Sequence, residues 1–179
     1  MLTLLPYQQR ALKAVQNAIR GSVYIPTGGG KTIVMMEDAR QRILNALEPM
    51  TFLVVAPRIL LANQLCSEFE EYLKDQNVAY LHVHSGETHH QSSTRPSVIA
   101  EYNDTAIGSG KHQFIFTTYN SIGRVNEADI NIDVVYFDEA HHCVKPSNFV
   151  GIAHTSAVAD NYAIVTLPVM PPVMPLWKP

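Results

Sequence analysis

The chain has 179 residues, a formal net charge of −3, 46% hydrophobic and 16% charged residues. That length is enough for one domain with a sizeable core but short for two, no apolar run nears the roughly 20 residues that span a bilayer, and no basic-then-apolar leader opens the chain. A soluble intracellular protein with no membrane partner is expected, and the charge supplies no global attraction to nucleic acid, so any such contact must be local. Cys66 and Cys143 are far apart with no CxxC pairing, which predicts reduced buried thiols rather than a disulfide framework or a zinc site.

The first element expected is a helix over PYQQRALKAVQNAIRG, with Leu12, Val15 and Ile19 at helical spacing, Pro6 near its start and Gly21 as a left-handed cap. SVYIP is then a short strand leading into PTGGGKT, Pro26 to Thr32, and KTIVMMEDARQRILNAL carries helical periodicity. TFLVVAP repeats the strand, and ILLANQLCSEFEEYLK places Leu61, Leu65, Phe69 and Leu73 on one helical face. VAYLHVH, HQFIFTT, DVVYFDE and YAIVT complete about six strands, most of them apolar throughout. Apolar strands alternating with helices predict an α/β fold: a largely parallel sheet covered by helices on both faces.

Residues 85–111 are polar and rich in Ser, Thr and His, which predicts loops with one short helix. His84, His89 and His90 sit there among Ser and Thr without evident ligand geometry, so they are expected on a solvated loop. The last twelve residues, from Pro168, contain five prolines and neither a helical nor a strand period. They are expected to form a flexible tail, with the folded domain over 1–167.

Two motifs carry chemistry. Three glycines between a buried strand and a helix let backbone N–H groups approach an anion, and the helix N-terminus adds its positive dipole end. Around Thr27, Gly28, Gly29 and Gly30, Lys31 is placed for the β and γ phosphates of a nucleotide and the Thr32 hydroxyl for Mg²⁺. In the strict pattern GxxxxGK[ST] the first glycine falls at Ile25, so the signature is imperfect, and a Gly-rich turn before Lys-Thr is the bland alternative. The second motif is VVYFDEAHH, which ends an apolar strand with Asp138 and Glu139 at the edge where parallel sheets bind ligands. Asp138 is a candidate for Mg²⁺ through its water shell, and Glu139 for orienting or deprotonating the water that attacks the γ phosphate. Phosphate loop and acidic pair in this order define an ATP and Mg²⁺ site.

With those motifs in place, the chain resembles the superfamily 2 helicases and translocases, specifically the group of restriction-enzyme translocating subunits and repair helicases. PTGGGKT resembles their motif I and DEAHH their motif II of DEAH type. LLPYQQ resembles the preceding Q-motif region, with Gln8 as adenine reader and Leu5 where the family often has Arg. VVAPRILLANQ resembles motif Ia, with Arg58 and Gln64 at matching positions, and TTYNSI the next nucleic-acid-contacting motif, around Thr118. The resemblance implies a RecA-like domain, ATP and Mg²⁺ as ligands, DNA or RNA as partner, and His141 as the link from the ATP site to neighbouring motifs. Motif III should fall at AIVTLPVMP, where Thr166 keeps the first position and Leu167 and Pro168 replace the rest. No second RecA-like domain is legible, so the arginines that complete the family's ATP site across a cleft are missing. The implied function is the ATP-binding domain of a nucleic-acid-dependent ATPase, weakly active by itself; a non-catalytic nucleotide- or nucleic-acid-binding module is the alternative.

Overall fold

The computed structural model describes residues 3–26, 28–139 and 163–167, with residues 20–22 and 163–167 described by their backbone alone. Helix α1 (Pro6–Gln16) starts with Pro at a first-turn position, where its missing N–H costs nothing. It turns Leu12 and Val15 into the core. It is shorter than its periodicity predicts. The chain leaves the helix at Asn17, and Arg20 and Gly21 already belong to strand β1 (Arg20–Tyr24). Gly21 is therefore not a helix cap, and Ile19, expected on the buried stripe, is 69% exposed.

Helix α2 (Lys31–Asn45) follows the glycine loop. Strand β2 (Thr51–Ala56) is buried at every position, as a strand covered on both faces must be. Helix α3 (Ile59–Tyr72) buries Ala62, Leu65, Cys66 and Phe69, and strand β3 (Val78–Val83) follows. Helix α4 (Pro96–Gly108) runs 13 residues where one short helix was expected, and its buried positions Ile99, Asn103 and Ala106 mark one narrow stripe. Strand β4 (His112–Thr118) and a short helix α5 (Ile122–Glu127), absent from the sequence reading, precede strands β5 (Val134–Phe137) and β6 (Ala163–Leu167).

The six strands form one sheet in the order β1-β6-β5-β2-β4-β3, and every pairing is parallel. One face packs on α2 and α3 through Met35, Ala39, Phe52, Val54, Phe69, Phe114, Phe116 and Tyr136. Phe52 and Phe114 stack at 4.4 Å there, with Phe69 set edge-on against Phe116. The other face packs on α4 and α5 through Leu53, Val55, Ile99, Ile115, Ile122 and Val125. The predicted α/β sheet covered on both faces is thus the fold observed. Among the described residues no helix is long and apolar enough to cross a membrane. The Pro-rich segment from Pro168, together with His141 and Cys143, lies outside the described residues.

Candidate functional site

The glycine loop is built between β1 and α2. Gly28 (φ +77°) and Gly30 (φ +78°) both take the left-handed conformation, which costs an L-residue with a side chain about 1–2 kcal/mol. Gly29 N–H donates to the Pro26 carbonyl at 2.8 Å, closing a tight turn. Ile25, where the strict signature has glycine, is 3% exposed and packs with Leu12 and Val34 beneath the loop. A Cβ at Gly29 would come within 2.6 Å of Ile25 Cγ2. The space that a glycine at 25 would open is filled, and a glycine at 29 compensates.

Helix α1 clamps this loop. Tyr7 Oη and Gln8 Nε2 both donate to the Gly29 carbonyl, at 2.9 and 3.0 Å, while Gln8 Oε1 accepts from Leu5 N–H at 2.9 Å. Gln8, expected to read adenine, is buried at 5% exposure, and its amide holds the loop to the start of α1. Among the described residues, a second donor and a second acceptor position remain on that amide. The clamped carbonyl is held on α1, and the helix N-terminus is capped by Gly30 with no side-chain hydrogen bond. The first-turn N–H groups of α2 therefore have no intrahelical acceptor and suit an anion. Thr32 stands half-buried on that first turn.

The acidic turn arrives from the far end of the chain. Asp138 N–H extends the ladder to the Val55 carbonyl at 2.8 Å, and the Asp138 carbonyl accepts from Tyr119 Oη at 2.8 Å. Tyr119 also stacks on Phe137 at 6.3 Å. Glu139 then takes φ +53°, a left-handed backbone at a non-glycine residue, a kind of strain that concentrates at functional sites. The outcome is an ion pair across the site: Lys31 Nζ lies 2.8 Å from Glu139 Oε1, with the two side chains 11% and 25% exposed. The strand between these halves is β6, whose Thr166 pairs in register with Val23 while Val165 pairs with Phe137. The backbone of Thr166 thus sits between the loop strand and the acid strand.

The remaining candidates divide. Arg58 is exposed at the N-cap of α3, just past Ala56, which pairs with Thr118, so these two share one sheet edge. Thr118 is 5% exposed and its hydroxyl meets Ser121 Oγ at 3.2 Å. Gln64 stands away from that edge, donating to Glu68 at 2.8 Å and lining a concavity of about 890 Å³ between α2 and α3. That concavity includes neither the loop nor the acidic turn. Thr27 and His141 lie outside the described residues. Sequence reasoning missed Tyr7, Tyr119 and the role of Ile25. Tyr7 and Tyr119 act through hydroxyls on distant backbone carbonyls, which leave no local pattern.

The histidine-rich segment departs from the solvated loop expected. His84 is 3% exposed, and beside it His82 is fully buried; burial pushes His82 down to about 4, with His84 and His90 adding to the shift. His89 remains exposed.

Residues 1–166 match the model of the family described as Type III restriction enzyme, res subunit. No curated protein matches the chain. Among solved structures, it is similar to a nuclease-deletion mutant of the Type ISP restriction-modification enzyme LlaGI in complex with a DNA substrate mimic (TM-score 0.80, 20% identity, 94% of this chain and 18% of that one). It is also similar to the Hef helicase domain of Pyrococcus furiosus (TM-score 0.63, 21% identity, 94% and 33%) and to the UvsW helicase from bacteriophage T4 (TM-score 0.65, 16% identity, 92% and 52%). In each case the chain spans little more than half of the matched structure or less. The chain belongs to the Type III restriction enzyme res-subunit family, and its fold is that of RecA-like helicase domains.

Proposed function

We propose that residues 25–32 and 138–139 bind ATP with Mg²⁺ and, in the whole protein, couple its hydrolysis to movement on nucleic acid, DNA in the first instance. The observation that carries this reading is the 2.8 Å pair between Lys31 and Glu139, which brings a phosphate-binding cation and an acid together at the mouth of a glycine loop. The residues present fit the ligands. Left-handed glycines and the open first turn of α2 suit a polyphosphate, and the Thr32 hydroxyl and Asp138 carboxylate are the hard oxygen donors that Mg²⁺ prefers. When bound, Mg²⁺ neutralises charge on the phosphates.

The chain's own groups then divide the work. Lys31 exchanges Glu139 for the β and γ phosphates of the entering nucleotide. Glu139, relieved of the lysine, accepts a proton from the attacking water. Gln8 and Tyr7 keep the Gly29 carbonyl turned onto α1 and away from the phosphates. Arg58 supplies a phosphate contact to nucleic acid at the edge shared with Thr118, the kind of contact that positions a duplex without reading its sequence. The LlaGI structure contains a DNA substrate mimic, which supports DNA over RNA. Turnover by these 179 residues alone is expected to be slow, because an arginine supplied across a domain cleft contributes about 10³–10⁵ in related phosphoryl transfers.

ATP binding and turnover, with and without duplex DNA, test the assignment on this chain and on the longest version of the protein that expresses. Lys31→Ala should weaken ATP binding about tenfold or more. Glu139→Gln should preserve binding and lower turnover by about 10²–10⁴, the range for loss of a general base. Turnover unchanged in Glu139→Gln would sink the catalytic assignment. ATP binding without DNA-stimulated turnover in the longer protein would leave a non-catalytic nucleotide-binding module.

A further inference from the structure

Far from the glycine loop, three side chains from three elements converge behind the edge of the sheet. Cys66 on α3, His82 on β3 and His90 on the following loop each offer a ligand atom, and these atoms all lie within 4.8 Å of one another. Cys66 and His82 are fully buried, and the rings of His82 and His90 stack at 5.5 Å with 19° between their planes. His82 Nδ1 is engaged with His84 Nε2 at 3.0 Å, yet its other nitrogen, Nε2, is buried with no hydrogen-bond partner among the described residues. A buried imidazole nitrogen left without a partner is costly, and such groups ask for an explanation such as an unseen ion.

We infer that Cys66, His82 and His90 form a binding site for a zinc-class divalent cation. One thiolate with two imidazoles is the donor set that selects Zn²⁺ over the hard cation Mg²⁺. Ligand atoms around a tetrahedral Zn²⁺, at ~2.3 Å for sulfur and ~2.0 Å for nitrogen, stand roughly 3.5 Å apart. Closing from the present spacing takes about 1 Å of movement, which the half-buried His90 supplies from its loop. His90 also lines two surface depressions, of about 620 and 540 Å³, so it opens the entry path. The Glu70 carboxylate, one helical turn beyond Cys66 and 3.5 Å from His90 Nε2, holds the rim of the site. The fourth position falls to water.

The groups behind His82 change their hydrogen bonding when an ion binds. His84 Nδ1 accepts from Gly86 N–H at 3.2 Å, and His84 Nε2 lies 3.1 Å from Asn63 Oδ1. A cation on His82 Nε2 keeps that ring's proton on Nδ1, facing His84 Nε2, so His84 must exchange its own proton position and loosen its hold on Asn63 and Gly86. Binding is thereby felt in both α3 and the loop. The site clips the loop to the sheet at the point where His82 already exchanges backbone hydrogen bonds with Gln91 and Ser93, at 2.9 and 3.0 Å.

The test uses the full chain, purified without chelators, and titrated with Zn²⁺ or Co²⁺ alone in a large excess of Mg²⁺ to occupy hard-oxygen sites. One equivalent should bind, and Co²⁺ should give a thiolate-to-metal charge-transfer band. Cys66→Ser should abolish that band. His90→Ala, on the loop and therefore the variant that best preserves folding, should weaken Zn²⁺ binding at least 100-fold. Absence of a stoichiometric ion and of the band in the unmodified chain would overturn the site. So would Zn²⁺ affinity unchanged in folded His90→Ala, because binding would then belong to other residues.

Discussion

Gly30→Ala isolates the clamp between α1 and the glycine loop. The new Cβ takes the left-handed conformation at φ +78°, costing about 1–2 kcal/mol, and collides with Gln8 Nε2. To make room, the Gln8 amide must give up its 3.0 Å bond to the Gly29 carbonyl, worth about another 1 kcal/mol. Gly28 provides the control, because it has the same backbone conformation, φ +77°, and no atom of the described residues within 4 Å of where a Cβ would go. Gly28→Ala should therefore cost only the conformational part. Urea denaturation of both variants should show Gly30→Ala less stable than Gly28→Ala by about 1 kcal/mol. Adding Gln8→Ala to Gly30→Ala should cost less than the sum of the single changes by a similar amount, since the clashing group is gone. Equal losses for the two glycines, with additive behaviour at Gln8, would refute the clamp. ATP affinity measured on the same set would show whether its loss tracks the Gly29 carbonyl.

Two further outcomes follow from the same structure. Tyr119→Phe removes the 2.8 Å bond to the Asp138 carbonyl and should cost about 0.5–1.5 kcal/mol by denaturant titration, while lowering ATP turnover through a looser acidic turn; unchanged stability and turnover would remove Tyr119 from the site's support. Glu37 is held down to about 2, first by its hydrogen bond from Arg40, then by those from Tyr72 and Gln41, against the opposing effect of burial. A carboxylate with a depressed folded-state value stabilises the fold above its ordinary value of 4.5 and loses that contribution as pH falls toward 2. The melting temperature of the unmodified chain should therefore drop more steeply across that window than that of Glu37→Gln, and parallel curves would contradict the assignment.

The parts of the fold legible in the sequence are those that a single segment specifies. β2, β4 and β5 are buried on both faces, so runs such as TFLVVA and HQFIFTT announce themselves without reference to any partner. The boundary between α1 and β1 was misread because Arg20 and Gly21 pair with Ala163 and Ile164, and no local periodicity encodes a partner so distant in the chain. Helix α4 was underestimated because it buries only Ile99, Asn103 and Ala106; its polar remainder looks like loop. At the site, Lys31 and Glu139 stand out from the chemistry of their motifs, but the ion pair that joins them has no sequence signal. The clamp and the buried histidines have none either, since Gln8 has to be placed against Gly29 and His82 against Cys66 before either has a role.

The order of the sheet also bears on how the chain is made. Among the described residues β1 is an edge strand with β6 as its one neighbour, so this pairing of the strand that carries the glycine loop waits until residues 163–167 have left the ribosome. Pairings across such a sequence separation are slow to form. During synthesis, β2, β4, β3 and β5 can assemble while the first 24 residues wait. The nucleotide loop would be the last part of the sheet to be fixed, and ATP present at that stage would favour the finished state by mass action.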